Sequence, residues 1–161
     1  MEKERRKHRR IAVMHDLAKT IDLLIELEEW EKHSLHDKIK QHEHHNTHVK
    51  MPAVLLNLCA SGLGLITFAA LPIGTKICLN FDLVGLKMHD IEGKIMWSID
   101  KGDTHRMGVE FMKINDHSRN KLTLMAQDDE DCSIKLELGV TDVCSKKCHY
   151  YLLCAKDARL K

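Results

Sequence analysis

Val54-Leu55-Leu56-Asn57-Leu58-Cys59-Ala60-Ser61-Gly62-Leu63-Gly64-Leu65-Ile66-Thr67-Phe68 is the stretch on which the fold turns. Val54 to Leu58 and Leu63 to Phe68 read as two short apolar strands on either side of a glycine bend. Downstream the same texture repeats. Lys76 to Leu83, Ile91 to Ile99 and His105 to Phe111 each read as a strand, with Leu71-Pro72-Ile73-Gly74 and Asp100-Lys101-Gly102-Asp103 as connections. Strands so closely spaced point to an antiparallel barrel. Trp97 and Phe111 read as core residues of that barrel.

On both sides of this region the periodicity changes. Upstream, Asp16 to His44 contains no Gly or Pro, and Leu17, Ile21, Leu24, Ile25, Leu35 and Ile39 recur at helical spacing. Leu23, Leu27 and Trp30 form a second stripe beside them, and the spacing predicts one helix about 40 Å long. Downstream, Asn115-Asp116 offers an N-cap for a helix from His117 to Gln127, with Leu122 and Met125 facing inward. Asp128 to Asp131 reads as an acidic break, Ile134-Lys135-Leu136-Glu137-Leu138 alternates like a further strand, and Asp142 is placed to cap a last helix carrying three cysteines. The chain thus divides into a basic arm (1–15), a long amphipathic helix (16–48), a barrel with its trailing helix (49–128) and a cysteine-containing extension (129–161).

Bulk composition narrows the function. A net charge of +1 excludes a general electrostatic surface for long nucleic acid or anionic membrane, so any basic site is local. That locality is found at Glu2 to Arg10, which holds four arginines and two lysines and should be extended when alone. So charged an opening is not a signal peptide, and no apolar run approaches the roughly 20 residues of a membrane span. The expected location is the cytoplasm, where the six cysteines are thiols or metal ligands rather than disulfides. Aromatic residues at 4% are too few for a base-stacking platform.

Two motifs together carry a family resemblance. Glu4-Arg5-Arg6-Lys7-His8-Arg9-Arg10-Ile11 resembles the R-x-x-x-R arm of the PilZ domain, and Asn57-Leu58-Cys59-Ala60-Ser61-Gly62-Leu63-Gly64 resembles its D/N-x-S-x-x-G motif. Leu71-Pro72-Ile73-Gly74-Thr75, Gly93-Lys94-Ile95-Met96-Trp97 and Arg106-Met107-Gly108-Val109-Glu110-Phe111 follow in the family's order. The resemblance implies a mainly β fold: a six-stranded antiparallel split β-barrel, here with the long N-terminal helix and C-terminal helices. It also implies a non-catalytic bacterial receptor for cyclic di-GMP that relays the messenger to a motility, pilus or exopolysaccharide partner. Arg6 and Arg10 are then the paired arm residues, with Arg5 auxiliary, because guanidinium grips phosphate oxygens or a guanine edge with two parallel hydrogen bonds. Asn57, Cys59 and Gly62 complete the ligand site by the same resemblance. Cys59 stands where the family has serine, and Ser61, two places on, is expected on the opposite face of the strand.

The helix inserted between Arg10 and Asn57 must fold back across the barrel, or let the arm serve a neighbouring protomer's pocket, or leave the pocket incomplete, and its wide apolar face favours a homo-oligomer assembled through it. The alternative is a degenerate PilZ-fold module that assembles, or binds a protein, through that helix without nucleotide. Cys132, Cys144, Cys148 and Cys154 form the candidate zinc or iron–sulfur site, with His149 as a substitute ligand, against buried reduced thiols. His42, His44, His45 and His48 read as a polar helix end. No phosphate-binding glycine loop and no Ser/His/Asp order is present, so no enzyme is expected.

Overall fold

The structure, a computed structural model, describes residues 8–13, 20–26, 44–45 and 48–156. Eight strands are defined: β1 (Ile11–Ala12), β2 (Ile21–Glu26), β3 (His44–His45), β4 (His48–Cys59), β5 (Gly62–Thr67), β6 (Lys76–Leu83), β7 (Leu86–Lys101) and β8 (Thr104–Lys113). Six of them run β4-β2-β6-β7-β8-β5, and β5 pairs back onto β4, so the sheet closes into an antiparallel barrel. Closure leaves no long edge open. The short β1 and β3 sit outside the ring, each paired with β4.

The barrel interior follows from alternation. Ile21, Leu23 and Ile25 of β2, and Ile77, Leu79, Phe81 and Leu83 of β6, all point inward and are buried. From β4 come Val49, Met51, Ala53 and Leu55, but the next core residue is Leu58. The odd-to-even switch has a visible cause. Leu55 pairs with Leu65 and Asn57 with Gly64, so Leu56 is an extra residue that bulges out of the ladder. A second bulge at Met96 does the same in β7, where Ile95 opposes Val109 but Trp97 opposes Gly108. One-residue insertions flip every later side chain to the other face. Asn57, Cys59 and Trp97 are thereby turned outward.

A single α-helix is present among the described residues, α1 (Asp116–Glu137), and it lies after the barrel. Asn115 caps it, its side-chain oxygen accepting from the Ser118 N–H at 2.8 Å. Ser118, Leu122, Met125 and Asp129 form its buried stripe, packed on β4 and β1. Leu122 and Met125 face inward as expected.

Three expectations are overturned here. The long N-terminal helix is absent where it can be examined: Ile21–Glu26 is a strand between β4 and β6. Its inward residues repeat every second position, and the β-branched pair Ile21 and Ile25 suits the pleat. The rest of that segment, 16–19, 27–43 and 46–47, lies outside the described residues, and His44 and His45 belong to a hairpin with β4 rather than to a helix end. The acidic break and the Ile134–Leu138 strand are also replaced, since α1 runs through both to Glu137. Beyond it no capped last helix is present among the described residues. Asp142 adopts a left-handed φ of 56°, and Ser145 to Leu153 is a chain of tight turns closed by Cys148 N–H to Ser145 O, Tyr151 N–H to Cys148 O and Leu153 N–H to Tyr150 O. This tail still joins the core through buried Tyr150, Leu153 and Cys154.

Candidate functional site

Of the outward-turned residues, Cys59 and Trp97 border a cleft of about 310 Å³ at the β4–β5 turn. Its lining includes Arg10 from the arm, Cys59, Ser61 and Gly62 from the turn, and Trp97 and Glu110 from β7 and β8. Cys59 Sγ and Ser61 Oγ lie 3.4 Å apart. Ser61, in the turn two places on, lies on the same side as Cys59 and not on the opposite face expected for it; positions two apart on a strand share a face in any case. The thiol and the hydroxyl therefore face one cleft. Trp97 lines it as well and is only half-buried, contrary to its expected place in the core. Its indole occupies the space where a side chain at Gly108 would stand. Phe111 does belong to the core.

Glycine at 62 has a structural cause. A Cβ there would collide with the Val109 carbonyl of the adjoining strand, so β5 and β8 can pair this closely only without one. Asn57 does not line the cleft, but alternation places it on the same face of β4 as Cys59. Gly64 leaves room for its amide, which would sit 2.9 Å from an added Cβ. The Asn57 Oδ1 is buried and has no hydrogen-bond partner among the described residues. Such an acceptor is costly to leave unmet.

The arm reaches this site in one subunit. Residues Ile11 and Ala12 pair with Leu58 and Asn57, and the Val13 N–H donates to the carbonyl of the bulged Leu56 at 3.1 Å. The bulge thus supplies the hook for the arm. Arg9 turns to the other side, its Nε 2.7 Å from the Asp129 carboxylate. Arg5 and Arg6 lie outside the described residues.

The PilZ domain family matches residues 4–127, which takes in both motifs, most of the arm and the whole barrel. The chain belongs to the PilZ domain family. PilZ domains are non-catalytic, and this PilZ chain is not an enzyme. Among solved structures it is similar to the PilZ domain with c-di-GMP of YcgR from Escherichia coli, with 14% identity, 84% of this chain and 98% of that one covered, and a TM-score of 0.47. The complex of YcgR with c-di-GMP from the same organism gives 14% identity, coverage of 84% and 50%, and a TM-score of 0.52. The Bacillus subtilis inhibitor of motility MotI/DgrA gives 12%, 80% and 52%, and 0.50. This PilZ chain therefore spans about half the length of the last two. Comparison with curated proteins gives no match.

The cysteines do not make the expected metal site. Cys132, Cys144, Cys148 and Cys154 border a common cavity of about 250 Å³ beside α1, all as free thiols. Yet no three His, Cys, Asp or Glu side chains among the described residues come together closely enough to hold an ion. Turns in place of a helix separate the donors. Burial pushes the Cys148 and Cys154 thiols up. No helix among the described residues is long and apolar enough to cross a membrane.

Proposed function

We propose that this PilZ chain is a cyclic di-GMP receptor that passes the messenger's level to a protein partner. The observation that carries the reading is the convergence of Arg10, Cys59, Ser61, Gly62 and Trp97 on one cleft, Arg10 from the arm and the rest from the barrel of a single subunit. A guanidinium supplies paired donors for phosphate or for the O6/N7 edge of guanine, and the half-buried indole supplies a flat apolar wall. The unmet Asn57 oxygen is an acceptor suited to a guanine N–H. Cys59 is a weaker partner than the family's serine, and Ser61 beside it restores a hydroxyl to the site. Arg6 and Arg5 are assigned to the same ligand by the R-x-x-x-R motif. A similar solved structure, that of YcgR, is a complex with c-di-GMP, and a second similar protein is an inhibitor of motility, which favours a motility, pilus or exopolysaccharide partner.

Calorimetric titration tests the proposal. Wild type should bind cyclic di-GMP, and Arg10→Ala should weaken it by about 10- to 100-fold, the loss of one or two charge-assisted hydrogen bonds. Wild-type protein that takes up no nucleotide ends the reading. The competing idea of assembly through a long helix has lost residues 21–26 to the barrel.

A further inference from the structure

We infer that Asp129, which lies beyond the family-matched residues, is a positioning residue that clamps the arginine arm and so sets Arg10 at the cleft. The buried stripe of α1 runs Ser118, Leu122, Met125 and then Asp129, so a carboxylate stands where the packing pattern calls for an apolar side chain. It is 6% exposed. An ion buried to that degree persists only when paired and hydrogen-bonded. Two cations meet it. Arg9 Nε lies 2.7 Å from Oδ2 and Lys156 Nζ 2.8 Å from Oδ1. Ser133 ties the three together: its hydroxyl receives Arg9 Nη2 at 3.1 Å and Lys156 Nζ at 2.8 Å, and it lies 2.8 Å from the Asp129 carbonyl.

The consequence for the cleft lies in the chain direction. Arg9 and Arg10 are neighbours, the first aimed at α1 and the second lining the cleft, so fixing one side chain fixes the other's starting point. The strand that follows is held on its far flank by the tail, where Val13 bridges to Cys154. Helix and tail thus form one jaw, β4 the other. Ordering the arm before the ligand arrives removes an entropic cost that would otherwise weaken binding.

Hydrogen exchange on the free protein and titration with cyclic di-GMP test the clamp together. In Asp129→Asn, amides of Ile11 to Val13 should exchange at least tenfold faster while those of β7 and β8 hold, and the Kd should rise at least tenfold. Arg9→Ala should do the same, and the double variant no more than either alone. Lys156→Met, which spares the arm's own link, should stay within about twofold of wild type in both readouts. Unchanged exchange at Ile11 to Val13 in Asp129→Asn overturns the inference, as does faster exchange with an unaltered Kd. The affinity arm rests on the receptor reading above. Wild type that binds no nucleotide, with exchange behaving as expected, ends that reading and leaves the clamp standing.

Discussion

Glycines 62 and 108 lie on neighbouring strands at the cleft, and each is required by something different. At Gly62 the obstacle to a side chain is backbone, the Val109 carbonyl, which cannot swing aside without parting β5 from β8. Gly62→Ala should therefore cost about 1–3 kcal/mol in urea denaturation, the usual range for overfilled sites. At Gly108 the obstacle is the Trp97 indole, a side chain that can be pushed out of its place. Gly108→Ala should accordingly shift the Trp97 indole resonance in NMR spectra and weaken cyclic di-GMP more than it weakens the fold. The glycine bend, Arg10 and Cys59 were legible in the sequence because motif spacing marks them. Asp129 was not, because nothing local in an acidic run distinguishes the one carboxylate that meets Arg9 across a separation of 120 residues.

At the level of elements, β2 shows how a short apolar run can be read two ways. Ile21-Asp22-Leu23-Leu24-Ile25-Glu26 satisfies helical spacing through Ile21, Leu24 and Ile25, and strand spacing through Ile21, Leu23 and Ile25. The barrel decides, since a strand is needed between β4 and β6 to close it. The two readings separate cleanly by mutation. Leu23→Ala should cost about 2–5 kcal/mol, because Leu23 is fully buried, and half-buried Leu24→Ala less than about 1 kcal/mol. Thermal or urea unfolding of the two variants provides the comparison. The bulges at Leu56 and Met96 were illegible for a related reason. Neither carries a glycine, and an extra residue in a ladder is visible only against its partner strand.

The tail has its own acid sensitivity. Burial acts to raise the Asp128 carboxyl, but the backbone N–H of His149 at 2.6 Å and its ring nitrogen at 2.9 Å outweigh this and hold it below its ordinary value of 3.8. A carboxyl lowered by folding stabilises the docked tail above that ordinary value, and the contribution is lost as pH falls through the lowered one. Exchange at Cys148 to Leu153 amides should therefore rise below about pH 4, and Asp128→Asn should remove that step.

For the molecule as a whole, closure of the barrel and meeting of its two flanks are separate achievements. The sequence announced the barrel through its strand rhythm, whereas the partnership between arm, helix and tail arises only after folding. Its geometry has an engineering reading. Val13 and Cys154 are bridged although nearly the entire polypeptide separates them, so the two ends of the described structure share one strand edge. Chains whose ends lie together tolerate being rejoined and reopened elsewhere. The open site is at hand: Gly102, at the tip of the β7–β8 hairpin, has nothing within 4 Å of where a side chain would be. A permutant opened at Asp103 and joined through the segments that precede residue 8 and follow residue 156 should fold, as a single cooperative unfolding transition would show.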